Sequence, residues 1–133
     1  MLKDIDPPKV ENVSVAVVKE QNEVNQTVWN VYLINHNPVT IEGVLVTSKG
    51  YGEKDGRKLE TTTLRHFLDE VEPESYKKIE PIMDDVFGLT NEYWVSFYKE
   101  KVMFDKKFIF LAETIIKKNL ITVPVIEKPG VMI

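Results

Sequence analysis

The chain has 133 residues and contains no cysteine and only two histidines. The lack of cysteine excludes disulfides, thiolate nucleophiles and Cys-ligated zinc or iron–sulfur sites. His36 and His66 lie far apart in the sequence, so a histidine metal site would need long-range convergence that no motif announces. We therefore predict no metal and no cofactor. Proline and glycine are also scarce, at 7 and 6 residues, which is typical of a globular chain and unlike disordered or collagen-like sequences.

Long apolar runs are absent too. A membrane span needs about 20 apolar residues, and no stretch approaches that length. A signal peptide needs an uninterrupted apolar segment near the start, where this chain has Asp4, Asp6 and Pro7-Pro8. The sequence therefore predicts a cytoplasmic protein with no membrane partner. Its net charge of −4 disfavours non-specific binding to nucleic acid, although a local basic patch is compatible with it.

The strongest pattern lies in residues 91–111, which read as two alternating strands joined by a short charged turn. Tyr93, Val95 and Phe97 share one face of the first strand, and Phe104, Phe108 and Phe110 share a face of the second. A period of two marks half-buried strands, because successive side chains of a strand point to opposite faces. The aromatic side of this hairpin therefore needs a second sheet to cover it.

Similar alternation, bounded by turn residues, predicts further strands along the chain. These strands are expected at residues 13–19, 27–35, 40–48, 57–63, 75–82 and 120–126. The apolar residues of segment 64–71 recur at helical spacing and predict a short helix, and segments 83–88 and 113–119 predict further helical turns. The glycine-rich segment 49–56 is expected to be a loop that ends in an Asp55-Gly56 hairpin turn.

This pattern predicts an all-β fold, an immunoglobulin-like β-sandwich of seven or eight strands with one or two short helical turns. The chain is long enough for one ordinary domain, so residues 1–133 should form a single domain with a polar leader at 1–12 and a C-terminal tail at 127–133. A partly open OB-like barrel is the alternative, because alternation alone does not distinguish a closed sheet from two stacked ones.

Three polar clusters could have a function, and each also has a structural explanation. The loop around Tyr51 could cradle a phosphate, but it lacks the spacing of a phosphate loop, so a hairpin loop is favoured. Arg65 and His66 could form an anion site or a general base, but a solvated strand end is favoured because no matching nucleophile can be placed. A solubilising surface is also favoured over a cation site for the acidic residues Asp69, Glu70, Glu72, Glu74, Glu80, Asp84 and Asp85, which lack calcium-loop spacing.

Lysines in the aromatic hairpin form a further candidate. Lys106 and Lys107 lie among aromatic residues, and basic groups interleaved with aromatics are typical of single-strand nucleic-acid platforms. The structural explanation is that one face is core and the lysines keep the sheet soluble and protect its edge.

The apolar tail is the last candidate. Val131, Met132 and Ile133 end the chain, and an apolar segment of this kind is expected to be held against other residues. It could pack on its own sandwich, or it could enter a groove on a partner or a second copy.

Several runs of sequence resemble a small family of uncharacterised bacterial proteins of about this whole length, some of which carry the label of a phenylalanyl-tRNA synthetase subunit. The runs are WNVYLIN (29–35), EGVLVTSKGYG (42–52), TLRHFL (63–68), NEYWVSFY (91–98) and PGVMI (129–133). A class II synthetase core needs a large antiparallel sheet with ATP-binding arginine motifs, which a chain of this length with sandwich-like strands cannot contain. The resemblance implies no catalytic residues.

The leading hypothesis is a non-enzymatic cytoplasmic interaction module that docks a protein partner, or a second copy of itself, through an edge strand, its loops or its apolar tail. The first alternative is an RNA- or tRNA-associated accessory domain that uses the lysine-aromatic hairpin. The second alternative is a small enzyme that uses Arg65 and His66.

Overall fold

Ten strands in two stacked antiparallel sheets make up almost all of the computed structural model, which describes residues 8–133. The predicted leader at 1–12 falls largely on residues 1–7, which lie outside the described part. The strands are β1 (Val13–Gln21), β2 (Thr27–Asn35), β3 (Ile41–Lys54), β4 (Arg57–Glu60), β5 (Leu64–Val71), β6 (Ser75–Ile82), β7 (Thr90–Lys99), β8 (Val102–Phe110), β9 (Ile121–Val123) and β10 (Lys128–Met132). Two short 3₁₀ turns, Asp84–Val86 and Lys117–Asn119, are the helical segments within residues 8–133.

The strand order confirms the sandwich prediction. The first sheet has the order β6-β2-β1-β10-β9, and the second has the order β4-β3-β7-β8 with β5 also paired to β3. Placing β6-β2-β1 opposite β3-β7-β8 reproduces the wiring of immunoglobulin-like sandwiches, in which strands A, B and E share one sheet and C, F and G the other. The sheets do not close on each other, so the OB-like alternative is wrong.

The main core lies between the two sheets. Tyr93 and Phe110 meet edge to face, with ring centroids 6.1 Å apart, and Phe97 stacks on Phe104 at 5.4 Å. The aromatic hairpin, now β7 and β8, therefore turns its aromatic side inward as predicted. Fully buried aliphatic residues from both sheets complete this core: Val15, Val17, Val31, Leu33, Ile41, Val44, Val46, Val71 and Val95.

The C-terminal residues form an inner strand of the first sheet, between β1 and β9. Val131 pairs with Val17, and Ile133 exchanges two backbone hydrogen bonds of 3.0 Å with Val15. The tail therefore packs on its own sandwich. Around it, a second small core covers the other side of β1 and β2, formed by Ala16, Val18, Ile34, Val123 and Ile126.

A buried amide pair fixes one end of the sandwich. The side-chain nitrogen of Asn35, a fully buried residue, donates to the carbonyls of Val39, Val71 and Glu72 over 2.9 to 3.1 Å. Its side-chain oxygen accepts from the backbone and side-chain nitrogens of Asn37. These bonds satisfy turn carbonyls that would otherwise be costly to bury.

The helix predicted for residues 64–71 is wrong, because this segment is the strand β5. Its pairing with the long strand β3 places His66 opposite Val46 and Phe67 opposite Leu45. The apolar residues happened to match helical spacing, but β3 offers an open edge whose backbone groups need partners, and pairing with it outweighs the weak local preference.

The expected number of strands was also too low. Residues 49–54 of the predicted loop 49–56 continue β3, and the tail adds β10. The Asp55-Gly56 turn is confirmed: both residues have positive φ, 53° and 75°, and Lys54 pairs with Arg57. Within residues 8–133, no helix is long and apolar enough to cross a membrane.

Candidate functional site

The outer face of the second sheet points away from the first sheet and spans β5, β3, β7 and β8. It carries most of the large exposed apolar side chains of these four strands. Its large apolar residues, called the apolar face below, are Leu45, Phe67, Trp94, Tyr98, Met103 and Ile109, with exposed fractions between 38% and 67%. Contiguous exposed apolar surface of this kind is typical of interaction sites on soluble domains.

Strand register brings these residues together. Phe67 lies opposite Leu45 on β3, and Tyr98 lies opposite Met103 on β8. Trp94 lies opposite Thr47 on β3 and Lys107 on β8. Its indole nitrogen donates to Asp105 over 2.9 Å, and Lys107 lies over its ring. The indole is therefore held in one orientation. A shallow cavity of about 200 Å³ opens beside it, lined by Leu45, Thr47, Trp94, Ser96, Met103 and Asp105.

A polar cluster on the inner side of the sandwich is the second candidate site. Glu80 of β6 reaches across to the second sheet, where Ser48 donates to its Oε1 over 2.6 Å and His66 Nε2 lies 2.7 Å from the same oxygen. Tyr93 donates to Oε2 over 3.4 Å. One carboxylate therefore joins β6 to three strands of the opposite sheet.

The contacts in this cluster determine what chemistry it could perform. A serine nucleophile needs a base that accepts its proton, and the base is usually a histidine held by a carboxylate. Here Ser48 and His66 both contact Glu80, so the carboxylate occupies the position of the base. The side chains of His66 and Glu80 are 27% and 13% exposed. This arrangement links the two sheets through hydrogen bonds more readily than it activates Ser48.

A cavity of about 400 Å³ adjoins this cluster at the end of the sandwich. Ser48, Glu80 and Tyr93 are among its polar lining residues, and Leu64, Ile82 and Val86 are among its apolar ones. Among the described residues, no group of three or more histidine, aspartate or glutamate side chains is placed to hold a metal ion.

Burial raises the pKa of the Tyr93 phenol well above its ordinary value of 10.0, and the charge of Glu80 and its hydrogen bond raise it further. Above about pH 10 the unfolded chain therefore loses a proton that the folded protein keeps, and stability falls as pH rises. We expect the free energy of unfolding of Tyr93→Phe to fall less steeply with pH than that of the wild type. Urea unfolding between about pH 8 and pH 11 measures the difference. An equally steep loss in the variant would contradict this account.

A third polar group lies on the other side of the first sheet. Tyr32 donates to Glu20 over 2.5 Å, and Lys128 forms an ion pair with Glu20 over 3.1 Å. Burial alone raises the pKa of Glu20, but hydrogen bonds from Tyr32, Lys128 and Asn30 outweigh it and hold the pKa below its usual 4.5. This group ties β10 to β1 and β2.

The residues proposed from sequence are spread over the molecule. Arg65 and His66 lie on opposite faces of β5, so they do not share a site. Lys106 lies on the inner side of β8 with its ammonium group over the ring of Phe108. Lys107 lies on the outer face, over the ring of Trp94. Tyr51 lies near the β4 hairpin with Lys49 over its ring. Val131, Met132 and Ile133 lie in and just after β10.

The sequence did not reveal that Glu80 joins the two sheets, and it did not reveal the apolar face. A usable signal was present in YWVSFY, residues 93–98, where Trp94 and Tyr98 place large apolar groups on the face opposite Tyr93 and Phe97. A strand of a two-layer sandwich that is apolar on both faces indicates a second surface that needs cover.

Comparison with protein-family models, curated proteins and solved structures finds no match to this chain. The resemblance described for the sequence therefore stays a prediction.

Proposed function

We propose that the protein is a cytoplasmic, non-enzymatic interaction module that docks a protein partner on the apolar face of its second sheet. The observation that carries the proposal is the presence of six large apolar side chains, each at least 38% exposed, on one face of four adjacent strands. Interfaces are enriched in aromatic residues, methionine and arginine, and this face has Trp94, Tyr98, Met103 and Arg65.

The face is also preorganised. Trp94 is fixed by Asp105 and Lys107, and it is carried on β7, an inner strand of the sheet. Rigid aromatic residues of this kind serve as binding anchors because little side-chain freedom is lost on association. The shallow cavity beside Trp94 offers space for one apolar side chain of a partner.

The face suits a protein partner better than RNA. Base stacking needs accessible aromatic rings, but Tyr93, Phe97 and Phe108 of the hairpin are buried, which leaves Trp94 and Tyr98 as its exposed rings. Trp94 is half exposed, and Lys107 already lies over its ring. The net charge of −4 also opposes phosphate binding.

Site-specific crosslinking tests the proposal in the cell that makes the protein. A photoreactive phenylalanine analogue replaces Met103 on the apolar face, and the same analogue at Val24, in the exposed β1–β2 turn, serves as the control. We expect one dominant protein adduct from position 103, none from position 24, and loss of the adduct when Phe67→Asp places a charge on the face.

Two results would overturn the proposal. The first is equal labelling from both positions, or none from either. The second is an adduct that ribonuclease removes, which would favour the RNA-associated alternative. Circular dichroism of Phe67→Asp shows whether that variant keeps its fold.

A further inference from the structure

The charges around the apolar face determine which partner it fits. Two neighbouring rows of side chains cross the sheet from β5 to β8, and they carry opposite charges at the β8 end. The first row is Arg65, Thr47, Trp94 and Lys107, and the second is Phe67, Leu45, Ser96 and Asp105. The row on either side continues the pattern, with Lys49, Glu92 and Ile109 beyond the first row and Glu42, Tyr98 and Met103 beyond the second.

From this pattern we infer that the partner is a second copy of the same chain, related by a twofold axis that lies between these two rows and runs perpendicular to the strands. The inference rests on the proposed function and names its partner. With this axis, each strand lies antiparallel over the same strand of the second copy. The first row of one copy then faces the second row of the other. An interface with this symmetry must be complementary to itself.

The exchange brings opposite charges together at two places on the face. Lys107 meets Asp105 of the second copy, and Lys49 meets Glu42 of the second copy, each twice by symmetry. Arg65 lies against the ring of Phe67, an arrangement that favours cation–π contact. The exchange also faces Met103 with Ile109 and Trp94 with Ser96, and it brings Tyr98 over Glu92, which is only 9% exposed in the single copy.

The other in-plane twofold axis, parallel to the strands, is disfavoured. It lays β5 of one copy over β8 of the other, which brings Arg65 against Lys107 in both halves of the interface. Like charges placed opposite each other oppose association. The charge pattern therefore selects one of the two symmetric face-to-face arrangements.

The fixed indole is compatible with this arrangement. Trp94 uses Oδ2 of Asp105, which leaves Oδ1 able to accept from a lysine of the second copy. Stacked sheets lie about 10 Å apart, a gap that a lysine and an aspartate pointing at each other can bridge.

The size of the face sets the expected strength. Three strands contribute to all four rows and β5 contributes to two, so with strands about 4.8 Å apart and rows about 7 Å apart the face covers on the order of 500 Å² per copy. The total of about 1,000 Å² lies at the lower end of specific interfaces. We therefore expect a dimer that dissociates in the micromolar range and not an obligate one.

Sedimentation velocity over a concentration series tests the inference by charge exchange. Lys107→Asp places two carboxylates opposite each other, and Asp105→Lys places two ammonium groups opposite each other. Each should weaken the dimer at least about tenfold. The double exchange, Lys107→Asp with Asp105→Lys, should restore most of the association. Lys78→Asp makes the same charge change on the first sheet and should leave association unchanged.

A wild-type protein that stays monomeric up to high micromolar concentration would overturn the inference. Failure of the double exchange to restore a dimer that the single variants weaken would overturn the twofold arrangement. The crosslinking experiment separates these failures from failure of the proposed function. An adduct with a different protein would support the proposed function and contradict the second copy as its partner. An adduct of twice the chain mass would support both. The absence of any adduct would contradict both.

Discussion

Phe97→Ala should lower the free energy of unfolding by about 3 to 5 kcal/mol. The side chain is only 2% exposed and stacks on Phe104 in the core between the sheets. Removing the ring loses its burial and leaves a cavity that the surrounding strands cannot fill without disturbing their pairing. Urea unfolding at neutral pH, with the midpoint and slope compared to wild type, measures the loss.

Phe67→Ala is the matched control, because it makes the same chemical change at a ring that is 67% exposed. It should cost under about 1 kcal/mol, and Lys106→Ala should cost under about 0.5 kcal/mol. Losses of equal size at Phe97 and Phe67 would mean that the inner and outer faces of the second sheet have been assigned wrongly.

Gly130→Ala should also destabilise strongly, by about 3 kcal/mol, at the upper end of what overpacking costs. A Cβ atom at this position would lie 2.6 Å from the carbonyl oxygen of Val17 and 2.8 Å from a methyl group of Val123. The nearest atom belongs to the backbone of β1, so relief requires β10 to move away from the strand with which it pairs. Thermal unfolding of the variant measures the effect.

Gly88→Ala provides the comparison, because a Cβ atom there meets no other atom within 4 Å. We expect a change of less than about 1 kcal/mol, and it could be a gain, since alanine restricts the unfolded chain. If both substitutions were tolerated, the close approach of β10 to β1 would be contradicted.

Several strands could be read directly from the sequence. Alternation between turn residues gave residues 27–35 and 75–82 the same bounds as β2 and β6. The aromatic hairpin was equally clear, because its inner residues are large and its turn is charged. In these segments the local pattern and the tertiary burial agree, which is the condition under which periodicity is a sufficient guide.

Other segments could not be read because distant partners decide them. Residues 64–71 have apolar spacing that suits a helix, and only the open edge of β3 makes them a strand. Gly50 was interpreted as part of a loop. A Cβ atom at this position would lie 3.1 Å from the side chain of Asn91 and 3.1 Å from that of Thr61, so a side chain would be crowded. A glycine that admits close packing is indistinguishable in sequence from one that permits a turn.

The candidate sites depended even more on tertiary structure. Glu80 was one of seven acidic residues assigned to a solubilising surface, and its role is set by Ser48 and His66 from other strands. The apolar face joins residues from four strands, so no single segment reveals it. Its charge pattern follows from the register of β7 and β8, which sequence alone did not fix.

The position of β10 has a consequence for synthesis on the ribosome. The strand β1 finds its first neighbour, β2, through a short turn, but its other edge is paired by residues 130–133. Until those residues emerge, the nascent chain presents a valine-rich edge with unpaired backbone groups, a known template for misassembly. We therefore expect residues 13–18 of the nascent chain to be a binding site for a chaperone until β10 has paired.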